Sequence, residues 1–367
     1  AEKPRVLILG GCGFLGRHLV KYLHDKQLCS KVCVTDKVLF QIAGLNEEEL
    51  NIYKSDLVTF KQSDLANEAH VERVFEHDGG NYRYVINLAA VTKYSQGKEV
   101  YDMNIVTLSK NCAAASVKHK VARYIEVSTA QVYEPGKAKS TETSKLKPWT
   151  DIARASLEAE QIISGIDGLN YVIVRPAICY GSGDTLGLTP RLIVGSIYRE
   201  TGKKMESLYS SKLCMNTVHA DDVAKALWHL TTHGESGQIY NLSDSNDTDQ
   251  GKVHKILEAI FGIKTAFVSP LLMKAAEAMG TKHLVGYAND KHLKPFSDAC
   301  KKYGVLDTPL TPYLDEELIL PHSLSVDGTK ICSTGFTYDR PNVDPEELKA
   351  VLLDFVQKGY FPKQMLP

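Results

Sequence analysis

Gly10, Gly13 and Gly16 stand three residues apart, directly after the apolar run Arg5–Leu9 and at the head of Phe14–Leu23, where apolar residues recur at helical spacing. At a strand-to-helix turn each glycine has a task. Gly10 permits the tight turn, Gly13 lets the backbone approach a pyrophosphate, and Gly16 lets the helix pack closely on the sheet. The unpaired N–H groups and positive dipole end of that helix favour an anion. Three glycines alone could mark a structural turn. Here Asp36 closes the next apolar run, Lys31–Thr35, 20 residues after Gly16, which is the context a dinucleotide fingerprint requires. A carboxylate there accepts hydrogen bonds from ribose hydroxyls and repels a 2′-phosphate, favouring NAD(H) over NADP(H), although Lys37 beside it could neutralise such a phosphate. Asp64, near the end of a third strand, could meet an adenine amino group or cap the following helix.

Positioning these residues takes a particular run of elements. Strands are expected at 5–9, 31–35, up to 62–65, 84–88, 123–127 and 171–174, with helices at 14–23, 99–119 and 148–163 between them. Nearly all-apolar strands alternating with helices predict an α/β Rossmann-type doubly wound parallel sheet. Beyond Gly181 the pattern fades into helical stretches at 189–200, 221–232, 249–261 and 289–303, with a short strand at 239–242. The expected division is a dinucleotide-binding domain, 1–180, and a smaller α+β substrate lobe, 181–367, some of whose strands and helices return to the first. The apolar stretch 266–286 is interrupted by Pro270, Lys274 and Glu277, and predicts an amphipathic helix rather than a membrane contact.

The 367-residue chain, 43% hydrophobic, is long enough for a sizeable core, and its formal charge of −1 offers no overall footprint for nucleic acid or a membrane surface. Eight scattered cysteines without a CxxC pair fit reduced thiols better than a disulfide frame or a metal site. No apolar run is long enough to span a bilayer. The first strand starts at Arg5, so a cytoplasmic location without a signal peptide is expected, and the opening Ala leaves room for a removed organellar presequence.

Motifs in a fixed order then add a resemblance: Gly10-Gly11-Cys12-Gly13-Phe14-Leu15-Gly16, Ser63-Asp64-Leu65, Asn87-Leu88-Ala89-Ala90, Asn104, Val127 to Tyr133, Arg175 to Gly181, and Val218 to Ala224. The chain resembles the extended short-chain dehydrogenase/reductases, also called the NAD-dependent epimerase/dehydratase family, clearly over about residues 4–245. The resemblance implies that Phe14, Leu15, Asp64, Leu65, Leu88, Ala89, Ala90 and Asn104 line the dinucleotide with the glycines and Asp36, and that Val127, Ser128, Pro176 and Ile178 lie near its nicotinamide end. Thr129 aligns with the catalytic Ser or Thr that holds the reacting substrate oxygen, or it is a β-branched residue ending a strand. Tyr180 points to a cleft or sits in the core. The resemblance also implies a homodimer, or a subunit of a larger assembly, joined through helices 99–119 and 148–163, with Ala113, Ala114, Ala155 and Ala159 facing outward.

One departure stands out. The family carries Tyr-x-x-x-Lys on the helix after the fifth strand, and Pro148, Leu157 and Glu160 fix the register so that Ile152 and Ser156 occupy those positions. Ile152 cannot move a proton, Ser156 carries no charge, and loss of acid/base help costs ~10²–10⁴-fold in rate. Tyr94, on the loop after the fourth strand, is a candidate substitute; a packing loop is the plainer alternative. Three functions stay open: an NAD(H)-binding protein with weak, altered or absent redox catalysis; an active oxidoreductase, epimerase or dehydratase acting on a nucleotide-sugar or sterol-like alcohol through Thr129 and a relocated base such as Tyr94; and a structural subunit. Arg191, Arg199, Lys203 and Lys204 could hold a nucleotide diphosphate, or are solvated helix ends.

Overall fold

In the computed structural model, which describes residues 2–367 apart from the side chains of Ala275 and Ala276, seven strands form one wholly parallel sheet. Six come from the first half: β1 (Arg5–Leu9), β2 (Lys31–Asp36), β3 (Val58–Gln62), β4 (Tyr84–Asn87), β5 (Arg123–Val127) and β6 (Tyr171–Pro176). Short strands β7 (Ile178–Tyr180), β8 (Met205–Ser207) and β9 (Thr217–His219) follow, then β10 (Gln238–Leu242) and β11 (Thr265–Phe267). The order across the main sheet is β10-β6-β5-β4-β1-β2-β3, so the expected strand at 239–242 extends the dinucleotide-binding sheet beside β6. Because the order reverses between β1 and β4, a crevice opens at the carboxyl ends of those two strands.

Successive side chains of a strand point to opposite faces, and β1 shows the consequence. Val6 and Ile8 pack with α1 (Phe14–Asp25), α2 (Glu47–Tyr53) and, from far along the chain, Ala220–His233, while Leu7 and Leu9 pack with α3 (Glu68–Phe75) on the other side. After β4 come α4 (Lys98–Tyr101), α5 (Leu108–Lys118) and α6 (Asp151–Ser164); α7 (Thr189–Thr201), α8 (Ala220–His233) and α9 (Gln250–Phe261) follow. The chain closes through α10 (Pro270–Ala278), α11 (Thr281–Lys302) and α12 (Pro345–Gln357). A second core gathers Leu192 of α7, Leu257 of α9, Phe296 of α11 and Leu352 of α12.

Several expectations are corrected. The helix expected over 99–119 is broken by a π-helical stretch, Asp102–Thr107, where Asn104 sits. Between β2 and β3, where no helix is expected from the sequence, the chain forms α2, started by a capping box between Asn46 and Glu49. The stretch 266–286 is a strand end and two helices, and α11 begins eight residues before the helix expected at 289. Ala113, Ala155 and Ala159 do not face outward: they are buried within the chain, where small side chains let α5, α6 and the π-helical stretch approach closely. Ala114 alone of the four is exposed.

Candidate dinucleotide and active site

The turn after β1 is built by contact between backbones. Gly10 has φ +74°, and a Cβ on it would stand 2.6 Å from the Ala89 backbone, so only glycine lets the ends of β1 and β4 touch. A Cβ on Gly16 would meet Gly10 O at 2.5 Å and the Gly11 backbone at 2.6 Å, which holds the first turn of α1 against the loop. Gly13 is different. It is exposed, and its nearest obstruction is Gly10 O at 3.2 Å. It also opens α1 without a side-chain cap, and no acidic residue lies in the first turn. The N–H groups of Phe14, Leu15 and Gly16 therefore start a helix whose positive end is left for a ligand anion.

Asp36 lies beside this turn. Its carboxylate accepts from Cys12 N at 3.0 Å and Val38 N at 3.1 Å, and so is fixed at the end of β2. Lys37, which the sequence left able to meet a 2′-phosphate, is held elsewhere: Nζ donates to Asn104 Oδ1 at 2.6 Å and pairs with Asp64 Oδ1 at 3.0 Å. Burial pushes the Asp64 carboxyl up, but the Lys37 hydrogen bond and charge outweigh it and leave it below the usual carboxylate range. Leu65 is buried, whereas Leu88 and Ala89 are half-buried and Ala90 is exposed along the crevice. A dinucleotide fits these residues: an open glycine at an uncapped helix end, a carboxylate at the neighbouring strand end, and a half-buried apolar floor.

At the end of β5 the hydroxyls of Ser128 and Thr129 part company. Ser128 Oγ donates to Glu160 of α6, whose carboxylate is gripped by the buried Arg175 guanidinium. Arg175 also donates to Tyr133 Oη at 2.9 Å, and Tyr133 donates to Asn241 at 2.7 Å, so a buried polar chain links β5, β6, α6 and β10. Thr129 is half-buried, and its Oγ1 accepts from Gln131 N at 3.2 Å. The Gln131 side chain donates to Tyr94 Oη at 3.3 Å and accepts from Thr150 at 2.9 Å. One amide thus joins the loop after β4, the turn after β5 and the cap of α6. Burial pushes the Tyr94 phenol up; Gln131 opposes the shift, while Glu317 and Asp315 add to it. Lys93, one residue earlier on the same loop, is exposed, whereas Tyr94 is half-buried.

Ile152 packs with Val91, Tyr101 and Ile105 in a small apolar cluster, and Ser156 is buried one turn further along α6. Pro176 is buried, and Ile178 packs toward the second core. Tyr180 is a core residue, fully buried edge-on to His219, which caps α8 by accepting from Asp221 N. Arg191 and Arg199 spend donors on their own chain, at Gly187 O and Leu366 O. Among the described residues no cluster of His, Cys, Asp and Glu could hold a metal, and all eight cysteines are free.

A segment absent from the sequence expectations closes this region. Glu317 accepts from Ser95 N at 2.8 Å and from Asp151 N at 2.6 Å, and Asp315 accepts from Ser95 Oγ at 2.7 Å. The segment before β-bridged Leu324 is thereby pinned to the loop of Tyr94 and to the start of α6. Gln131 and Glu317 were missed because their partners are 19 to 222 residues away; only the motif position of Gln131 hinted at a site.

Residues 6–243 match the family described as the NAD dependent epimerase/dehydratase family. The dTDP-D-glucose 4,6-dehydratase of Dictyostelium discoideum is 26% identical over 262 residues, 65% of this chain and 58% of its own. This chain therefore spans less than two thirds of that relative. The 4-hydroxy-2-methyl-3-oxo-4-farnesyl-3,4-dihydroquinoline-1-oxide ketoreductase of Stigmatella aurantiaca is 23% identical over 281 residues, 75% of this chain and 78% of its own. Among solved structures, the dTDP-glucose 4,6-dehydratase DesIV from Streptomyces venezuelae, with NAD and TYD bound, has a TM-score of 0.70 at 18% identity, covering 98% of this chain and 99% of its own. That likeness is one of fold.

Proposed function

The chain belongs to the NAD dependent epimerase/dehydratase family, and from that premise we propose that it is an NAD(H)-dependent oxidoreductase acting on a carbonyl or secondary alcohol, with Tyr94 in place of the missing helix Tyr. It is an NAD(H)-binding member of its family; the turn at Gly10, Gly13 and Gly16 would take the pyrophosphate and Asp36 the adenosine ribose. The engagement of Lys37 with Asp64 and Asn104 supports NAD(H) over NADP(H), because its charge is already matched.

The observation that carries the catalytic reading is Gln131, whose backbone donates to Thr129 and whose side chain donates to the Tyr94 phenol. It sets two hydroxyls on either side of one residue at the end of β5. The nicotinamide, when bound, supplies or accepts the hydride. Thr129, accepting from the backbone, keeps its own proton to hold a substrate oxygen. The Tyr94 phenol donates its proton to that oxygen as the carbonyl carbon gains hydride, and solvent reprotonates the phenolate. A phenol pushed up by burial suits this donor role better than the base role, since it stays protonated at neutral pH. Carbonyl reduction is the direction that starts from this protonated form. The farnesyl-dihydroquinoline ketoreductase among the relatives supports this direction. The dehydratases among them keep nucleotide-sugars in the panel of substrates.

A second reading, bound dinucleotide with weak or absent turnover, is favoured by Ile152, whose apolar packing leaves no acid or base at the family position. Oxidation of NADH, followed at its absorbance band with ketones and nucleotide-sugars, separates the two. The proposal expects turnover that Tyr94→Phe lowers by about 10²-fold while leaving NADH affinity unchanged. If the parent is inert across the panel while Ile152→Tyr/Ser156→Lys gains activity, the second reading stands. Turnover indifferent to Tyr94→Phe would overturn the role given to Tyr94.

A further inference from the structure

Helix α10 is amphipathic in an unusual sense, because its apolar side faces away from the protein. Met273 is buried against Leu284 of α11 and Ile319, and so marks the inward face. At about 100° per residue, Leu271 lies roughly 160° around the helix from Met273, and Leu272 roughly 100°. Both are open to solvent, 79% and 62% exposed, as are Met279 at 61% and Tyr287, two turns into α11, at 54%. An ordinary surface helix would carry polar residues there. Singly exposed leucines are common, but a run of large apolar side chains on one protruding hairpin marks an interaction surface.

The charge around the patch says what covers it. Residues 264–302 hold seven lysines against three acids, although the whole chain has a formal charge of −1. Lys294 pairs with Asp298, and Lys302 with Glu200. Lys274, Lys282 and Lys291 make no ion pair among the described residues, nor do the acids Glu277 and Asp290 of the same stretch, so lysines outnumber acids around the exposed apolar side chains; Lys291 Nζ lies 4.0 Å from the centre of the Tyr287 ring. Apolar side chains rimmed by an excess of unmatched lysines complement the boundary between acyl chains and anionic headgroups. No described helix is long and apolar enough to cross a bilayer, so the fit is to a surface. A second copy of this chain would bring the same lysines against one another, and four side chains cover far less than the roughly 800 Å² per partner of a stable dimer.

We propose that the outer face of α10 and the start of α11 dock the protein on an anionic lipid surface. The hairpin also reaches the active-site region. Thr281 donates to Glu316 at 2.7 Å, and Asn289 exchanges two hydrogen bonds with Leu314, so α11 holds the segment that Glu317 pins over the Tyr94 loop. The docking face and the catalytic loop are one layer apart. This inference does not rest on turnover, and its failure would leave the proposed function untouched.

Flotation of the purified chain with vesicles tests it, using phosphatidylcholine alone and phosphatidylcholine mixed with phosphatidylserine. The protein is expected to float with the mixed vesicles, and salt is expected to reduce that fraction. Leu271→Ser/Leu272→Ser/Met279→Ser should lower binding at least about tenfold with an unchanged melting temperature, since these side chains are already in water. Lys274→Glu/Lys282→Glu should abolish the preference for phosphatidylserine. No flotation with either vesicle overturns the proposal, as does equal binding by the parent and the apolar triple variant. A dimer that the triple variant breaks, without flotation by the parent, would assign the face to a second copy instead.

Discussion

Asp36 and Glu126 are both carboxylates of the central sheet, and their surroundings give them opposite tasks. Asp36 is held by two backbone N–H groups at the rim of the crevice, where the proposed dinucleotide would bring its ribose. Asp36→Ala should weaken NAD(H) by about tenfold and ease NADP(H) entry, because it removes both an acceptor and a like charge. Equal affinities for the two cofactors in parent and variant, by calorimetry, would count against the assignment. Glu126 lies in the interior, where burial pushes its carboxyl up to about 7 although Tyr124, Asn87 and Ser109 all donate to it. Between the ordinary value of 4.5 and about 7 the folded protein keeps a proton that the unfolded chain releases. Stability therefore falls as pH rises through that window and levels off above it, with Asp244, also pushed up to about 7, adding the same sign. Glu126→Gln keeps the hydrogen bonds of the protonated form and should raise stability at pH 8 by up to about 2 kcal/mol relative to the parent, flattening the slope. Urea titrations across that pH range would show it, and an unchanged slope would refute it.

The turn between β1 and α1 separates two uses of glycine. Gly10→Ala combines a left-handed backbone with a Cβ 2.6 Å from Ala89, and should cost about 2–4 kcal/mol, read as a lowered melting temperature. Gly13→Ala places its Cβ 3.2 Å from one carbonyl at a negative φ, so the fold should survive, but the methyl group stands where a pyrophosphate must approach the open helix end. Dinucleotide affinity should fall by at least about tenfold with little change in melting temperature. A variant that binds normally would move the phosphate site elsewhere. In α6 the same distinction holds: Glu160 fixes the helix through Arg175 and Ser128, whereas Ile152 one face away packs against the loop that carries Tyr94.

The whole molecule closes its own cleft by bringing a late segment back to an early loop. Glu317 joins Ser95 to Asp151, and α10 and α11 hold that segment from behind. Glu317→Ala removes two charge-assisted hydrogen bonds and should loosen the closure, costing about 1–3 kcal/mol locally. Faster limited proteolysis over residues 304–323 and a raised KM with a smaller change in kcat are expected. Unaltered cleavage would show that apolar contacts such as Ile319 hold the segment unaided.

Local pattern carried the sheet. Strands such as Val6-Leu7-Ile8-Leu9 are buried on both faces, and a run of that kind followed by glycines at fixed spacing admits few structures, so the turn, the place of Asp36 at the end of the second strand and the parallel doubly wound sheet were legible along the chain. The absence of Tyr and Lys at 152 and 156 was equally plain, since residue identity needs no fold. Tertiary structure decided whatever depends on distant partners. The alanines of α5 and α6 turned inward because another helix of the same chain needed the space, and Lys37 was diverted to Asp64 and Asn104 by strand ends that meet only in the sheet. Tyr94 gained Gln131 and the cover of Glu317, and α10 turned its leucines outward because its Met273 is the side chain that enters the small core of Leu284 and Ile319. Periodicity states that a helix has an apolar side; which way that side faces depends on packing between segments far apart in the chain.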